Sequence, residues 1–336
     1  MILSVSTVKD TVPNLRRFVR RNLGNGIDHM VVFVDSDDPV AESFLSAHPN
    51  VTCIRTGDDW WRGKRPAHLN VRQNTNANVA KAALTRFAWA DWLFHVDSDE
   101  VVLVDKDRLA LVDDDVRVVR LRPHEAVSHR KPRRDNLFKR PLTAEELHLL
   151  ALLDVIRVPD NKAYFHGHVA GKSGFRPSLD LTAGIHRPVG PAGERQTALE
   201  GEWLRLLHFD SLSSEEFVRK WRNLRSSGPR PKVRKSRAHL MMALDALSAA
   251  DLPPRAQSKY LMRLYERTTE DDVGTLLELG LLEEIDPDIH RFEPHSPGDA
   301  DKAALEKLLG GLAAVDKEVF RKGAPAEVEA VLARGD

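Results

Sequence analysis

The hydrophobic and polar positions alternate in a readable order from the start of the chain. Residues 2–8, ILSVSTV, have the apolar rhythm of a short strand that ends at Lys9-Asp10. Pro13 suits the first turn of a helix, and Leu15, Phe18, Val19 and Leu23 follow helical spacing until Gly24 and Gly26. The run MVVFV at 30–34 is apolar and β-branched, as in a strand covered on both faces, and it leads into Asp35-Ser36-Asp37-Asp38. A helix over 39–47 and a strand over 51–55 follow. The predicted order is βαβαβ, which implies a mostly parallel sheet.

Residues 56–68 are loop-like. A helix is predicted over 70–90, with Val71, Val79, Ala82, Ala83 and Phe87 on its apolar side. The segment WLFHV at 92–96 reads as the next strand and runs into Asp97-Ser98-Asp99-Glu100, and another strand is predicted near 116–121. Residues 122–192 are less regular, with short strand-like pieces at 155–158 and 163–169. His166 and His168, two apart, would share one face of such a strand. An apolar rhythm resumes at 203–209. Ser213 or Ser214 followed by Glu215-Glu216 marks a helix start. Helices are then predicted over 237–250, 255–268, 270–284 and 300–314. The expected division is a catalytic domain over 1–212 and a helical region over 213–336.

Composition narrows the class. The chain has 336 residues, 42% hydrophobic and 30% charged, ordinary values for a globular protein with a sizeable core. Fifty Lys plus Arg balance fifty Asp plus Glu, which argues against a wholesale nucleic-acid coat. The single cysteine, Cys53, rules out an intramolecular disulfide and a Cys-rich metal site. Neither a basic leader followed by an apolar stretch nor a run of eighteen apolar residues is found, so the expectation is a cytoplasmic protein. Peripheral contact with the inner face of the membrane, through the C-terminal helices, is compatible with that expectation. A homo-oligomer is left open.

Chemistry in a sheet of this kind sits at the carboxyl ends of its strands. Three such ends carry polar groups here: Lys9-Asp10, Asp35 to Asp38, and Asp97 to Glu100. Two carboxylates held close repel one another, and a hard divalent cation removes that cost. Mn²⁺ or Mg²⁺ suits oxygen ligands and bridges naturally to a diphosphate.

Four segments, in order, resemble glycosyltransferases of the GT-A class, specifically the GT2-like group and family 92. They are SVSTVKD with the following LRRFVRRNLGNGIDHMVVFVDSDD, the stretch from Gln73 to WLFHVDSDE, GKSGFRP with His186 shortly after, and LLHFDSLSSEEFVRKW at 206–221. The resemblance covers most of residues 2–222. It implies a GT-A fold with a mostly parallel central sheet, and a helical C-terminal appendage lying outside the resemblance. It implies metal-dependent, inverting transfer of a sugar from a nucleoside-diphosphate sugar, a UDP-sugar first, to a glycan, lipid-linked or small-molecule acceptor. Carried over by residue, Asp97, Asp99 and His208 would hold the metal. Asp10, Asp35, Asp37, Gln73 and Asp97 would meet the nucleotide, and Arg65 is placed to meet phosphate. The proton acceptor is less defined, with Glu125 first and Asp135 and Asp154 as alternatives.

Other features pull in several directions. Trp60 and Trp61 in a polar loop either stack on a ligand or fold back as a plug. Basic runs, His129 to Arg134 and Arg222 to Arg237, suit a phosphorylated or acidic partner or a solvated face. A nucleotidyltransferase is the nearest rival, but TVKDTVP at 7–13 has no glycine for a phosphate-cradling loop. A non-catalytic glycan- or nucleic-acid-binding protein is the other alternative, with nucleic acid disfavoured by the charge balance.

Overall fold

The computed structural model describes residues 1–130, 135–226, 235–322, 329–330 and 332–333. Among these, ten strands are labelled in chain order: β1 Ile2–Val8, β2 His29–Val34, β3 Val51–Arg55, β4 Trp92–His95, β5 Glu100–Val104, β6 Val118–Ala126, β7 Leu137–Lys139, β8 Lys172–Phe175, β9 Leu199–His208 and β10 Leu282–Glu284. The chain forms two compact units, neither continuous in sequence. The first comprises Met1–Arg122, Ala170–Leu206 and Pro287–Asp336; the second comprises Pro123–Val169 and Leu207–Asp286. A single cut after residue 212 therefore falls inside the second unit.

In the first unit, four strands run parallel in the order β3-β2-β1-β4. β8 adds to β4 in the antiparallel sense, and β6 pairs antiparallel with β8 through Val118–Leu121. The sheet is thus mixed, and the parallel order read from the sequence holds for its first four strands. Both faces are covered. The even positions Ile2 and Val8 of β1 join Leu15, Phe18, Val19 and Leu23 of the helix Val12–Gly24, while Leu3 and Val5 join Val79, Ala80 and Ala83 of the helix Leu69–Leu84. Period-2 alternation in a strand with two apolar sides explains why the run looks continuously hydrophobic. Leu305 and Leu309 of the helix Asp299–Gly311 complete this second face.

Two polar side chains help set the edges. Asp28, buried, accepts from the backbone N–H of Ile2 at 2.8 Å and of His295 at 2.9 Å and pairs with Lys106. Asn22, fully buried in a helix, donates to the Glu100 carbonyl at 3.0 Å and accepts from Val102 N–H at 2.9 Å. Its amide substitutes for a neighbouring strand along β5.

In the second unit, β7 pairs antiparallel with the Glu125–Ala126 end of β6 and with β10. One core gathers Leu147, Leu150, Phe165, Leu276 and Leu281. Another joins Phe217, Trp221, Met241, Leu244 and Tyr265 from the helices Ser214–Ser226, Lys235–Ala249 and Pro254–Thr268. The predicted helix over 270–284 is instead a short helix, Val273–Glu278, a turn through Gly280 at φ 66°, and β10. Gly280 adopts the left-handed conformation that ends a helix at low cost. The strand-like pieces at 155–158 and 163–169 are bends around the short helix Asn161–Tyr164, so His166 and His168 share no strand face.

Candidate functional site

The first unit places polar groups at the carboxyl ends of β2 and β4. After β4, Asp97 to Glu100 form a four-residue turn. Glu100 N–H donates to the Asp97 carbonyl at 3.1 Å, and the Glu100 carboxylate accepts from Asp97 N–H at 2.8 Å. The Asp97 carboxylate accepts from Gln73 Nε2 at 2.6 Å and from Lys172 Nζ at 2.9 Å. Lys172 also lies 3.5 Å from the Glu100 carboxylate. Lys172 and Glu100 are wholly buried, whereas the Asp97 side chain is 28% exposed. Burial pulls the Lys172 ammonium down, but Asp97 and Glu100 outweigh it and raise its pKa above the ordinary lysine value. His95, one turn earlier, is pushed down to about 4 by burial, then by Lys172, and its Nδ1 meets the Gly184 carbonyl at 2.9 Å. A neutral imidazole there is a packing group.

After β2, Asp35 is buried between two guanidinium groups. Arg72 Nε donates to one carboxylate oxygen at 3.0 Å and Arg65 Nη2 to the other at 2.8 Å. Arg72 is 1% exposed and also donates to the Pro66 and Ala67 carbonyls, fixing the loop that carries Arg65. Arg65 is the accessible member of the trio, at 43%. Asp37 is exposed and pairs with Arg55 at 3.2 Å. Asp10 accepts from Thr11 N–H and Asn14 Nδ2, both at 2.7 Å, at the start of the first helix. Gln73, Asp97 and Asp99 therefore gather at one strand end, and Asp35 with Arg65 at another.

His208, the third metal ligand expected from the sequence, belongs to the second unit, as do the three candidate proton acceptors. Glu125 is 1% exposed. Its carboxylate receives the N–H of His166 at 2.7 Å, the N–H of Gly167, and Lys139 Nζ at 2.8 Å, with His208 Nδ1 at 3.7 Å. Burial alone raises its pKa, but Lys139, His208 and His166 hold it well below the ordinary carboxylate range. A general base works best with a pKa near the operating pH. Glu125 is instead a fixed negative charge around which the 165–168 bend is wrapped. Lys139, fully buried, also lies 3.0 Å from Asp271, whose other oxygen accepts from Ser128 N–H at 2.8 Å. His166 Nε2 is 2.9 Å from the same Asp271 carboxylate. His208 stacks on His168 with ring centroids 5.1 Å apart. Asp135 is half-buried. Asp154 is exposed, at φ 57°, on the rim of a cavity in this unit.

Lys172, Arg72, Lys139 and Asp271 were not singled out by the sequence. Lys172 lies in the GKSGFRP segment and Arg72 stands beside Gln73, so a local signal existed for both. Lys139 and Asp271 are 132 residues apart, and no local pattern joins them. Trp60 and Trp61 are a plug: both are 2% exposed, and Trp60 donates to Asn76 Oδ1 at 3.1 Å and lies under Lys317 at 4.2 Å. In the basic runs, Arg130 pairs with Glu266 and Glu270. Lys131, Arg133, Arg134, Arg230, Lys232 and Arg234 lie outside the described residues. Among the described residues, no helix is long and apolar enough to cross a membrane.

No protein-family model and no curated protein matches the sequence. Among solved structures, the chain is similar to the bifunctional glycosyltransferase WbbM, at 18% identity and a TM-score of 0.26, over 52% of this chain and 31% of that one. It is also similar to HddC from Yersinia pseudotuberculosis, at 12% identity and a TM-score of 0.23, over 38% of this chain and 59% of that one. The chain thus spans less than two thirds of either protein, and similarity at this level assigns no residue a role.

Proposed function

We propose that the protein is a metal-dependent, inverting glycosyltransferase that uses a nucleoside-diphosphate sugar, with a UDP-sugar the first donor to test. One observation carries the reading. The parallel strands run β3-β2-β1-β4, so the order reverses at β1, and Asp97 stands at the carboxyl end of β4 beside that reversal. Open α/β sheets bind ligands in the crevice at such a switch point.

The residues there suit a diphosphate. Gln73 holds Asp97 in one orientation, and Lys172 supplies a buried positive charge beside it. Arg65, steered by Asp35, presents a guanidinium of the kind that recognises phosphate oxygens in pairs. Asp97 and Asp99 offer hard oxygen donors that fit Mn²⁺ or Mg²⁺. Bound there, the cation would act as a Lewis acid toward the diphosphate leaving group. Of the carboxylates considered for proton acceptance, Asp154 is exposed and lines a cavity of the second unit. Glu125 then serves to position Lys139 and the 165–168 bend.

The test is calorimetric titration of UDP, GDP and CMP into metal-free protein, with and without Mn²⁺, on the wild type and Asp99→Ala. Metal-dependent binding of one nucleotide that is lost in D99A is the expected result, and it names the base of the donor. Folded protein that binds none of the three overturns the reading.

A further inference from the structure

The last helices of the first unit do more than cover its sheet. Leu305, Leu309 and Leu312 pack in the same core as Trp60 and Trp61, so the two tryptophans of the short helix Asp58–Trp61 form a seat for the chain that follows the helix Asp299–Gly311. Residues 312–318 then meet the corner at 60–64 at three points. Lys317, buried, lies over the Trp60 ring at 4.2 Å, and its ammonium donates to the carbonyls of Leu312, Ala313 and Val315 at 2.8, 3.2 and 2.8 Å. Burial, then Arg62, pull its pKa down to about 8, which leaves it charged at pH 7 with its three hydrogens in use. Arg62 Nη1 donates to the Ala314 carbonyl at 2.6 Å, and Lys64 pairs with Asp316 at 2.8 Å.

The corner itself is unusual. Arg62 and Gly63 are both left-handed, at φ 51° and 71°, a conformation that a non-glycine residue keeps where its surroundings fix it. On the far side of Arg65, Arg72 donates to the carbonyls of Pro66 and Ala67. Arg65 thus stands between two clamps, with its guanidinium held by Asp35 and open to solvent. An arginine ordered before a ligand arrives loses less rotamer freedom when it binds.

We propose that residues 312–318 are a strap that positions Arg65 for an anionic ligand, with Lys317 as its central positioning residue. The strap lies outside the resemblance to GT-A transferases, so the loop that carries Arg65 is held by residues this chain adds beyond it. That the anion is a diphosphate rests on the transferase reading; the hold on the loop does not.

Two measurements on the full chain test the strap. In hydrogen–deuterium exchange, Lys317→Met and the surface double variant Arg62→Ala/Asp316→Asn should each speed exchange over 57–67 and leave β1 and β2 unchanged. In calorimetric titration of inorganic diphosphate without metal, the same variants should bind about three- to tenfold more weakly than the wild type, the effect of ordering one arginine at binding. Arg65→Ala should weaken binding further than either, and adding R62A/D316N to R65A should have no additional effect. Should K317M not fold, R62A/D316N, which changes exposed side chains, carries both measurements. Unchanged exchange over 57–67, no diphosphate binding to the folded wild type at millimolar concentration, affinity unchanged in the strap variants, or a full strap effect in the R65A background overturns the proposal. Nucleotide titration is separate. Its failure, with strap-dependent diphosphate binding kept, retires the transferase reading alone; nucleotide binding with exchange over 57–67 indifferent to the strap retires the strap alone.

Discussion

Among the described residues, each unit holds a fully buried lysine between two carboxylates, and the two triads differ in exposure and in the donors that surround them. Lys172 sits between Asp97 and Glu100, at 2.9 and 3.5 Å. Lys139 sits between Glu125 and Asp271, at 2.8 and 3.0 Å. In the first triad, Asp97 keeps 28% of its side chain exposed; in the second, the carboxylates are 1% and 7% exposed. A buried pair needs every lone pair satisfied, and Glu125 and Asp271 meet that need with three backbone N–H groups, from His166, Gly167 and Ser128. Asp97 meets it with a side-chain amide and solvent. The second triad is therefore suited to holding its unit's architecture, and the first keeps an edge available to a ligand.

The sharpest way to break this comparison is to remove each lysine. Lys139→Met leaves two carboxylates stranded and should cost about 3–5 kcal/mol in urea unfolding, with part recovered by adding Glu125→Gln. Lys172→Met should cost less, about 2 kcal/mol, since Asp97 can hydrate. Equal losses would mean that exposure of Asp97 is irrelevant to the triad.

Lowering the pH probes the same contrast. Burial favours protonation of Glu125 and Asp271, but Lys139 leads the groups that hold both below their ordinary values. Groups with depressed folded pKa values contribute stability that is complete above the unfolded value, about 4, and lost as the pH falls below it. The melting temperature should begin to fall below about pH 6.5, where the unfolded chain protonates His95 while the fold holds it neutral, and fall more steeply below about 4 as these carboxylates are lost. In K139M/E125Q the acid-side drop should be shallower.

Close packing offers a smaller test. A Cβ at Gly167 would lie 2.2 Å from His208 Cε1, so Gly167→Ala must displace that ring and should cost about 1–3 kcal/mol. The matching position in the first unit, Gly174, meets the Phe94 ring at 2.3 Å, and Gly174→Ala should cost a similar amount. The smallest effect is expected at β1. Among the described residues the buried hydroxyls of Ser4 and Ser6 meet no hydrogen-bond partner, so Ser6→Ala should be neutral or stabilise by up to about 1 kcal/mol in the same unfolding assay.

Much of the first unit was legible because its signals are local. Strands of period two and helices of period 3.6 place β1, β2, β3 and β4 and the helices between them within a few residues, and the acidic turns follow directly from the strand ends. Gln73 came only from the resemblance; periodicity by itself gives no more than the helix that carries it. The second unit was not. β7 and β10 are three residues long, too short for an alternation to show, and their pairing depends on partners far away in the chain. The C-terminal helices were visible as periodic segments, but their division between two units was not. Leu305 and Leu309 pack in the first unit and Leu244 and Tyr265 in the second, and an apolar stripe does not say which core it covers.

By itself, then, the sequence determined the opening βαβαβ order, the acidic strand ends and the helical character of the later chain, each written in neighbours a few residues apart. Tertiary structure decided the rest. Burial turned Trp60 and Trp61 into a plug, and Lys139, brought beside Glu125, holds that carboxylate's pKa down against burial. Folding also brought Lys172 to Asp97 across 75 residues, and Lys139 to Asp271 across 132. Charges separated by that much chain acquire their protonation, partners and exposure only when folding removes the water between them.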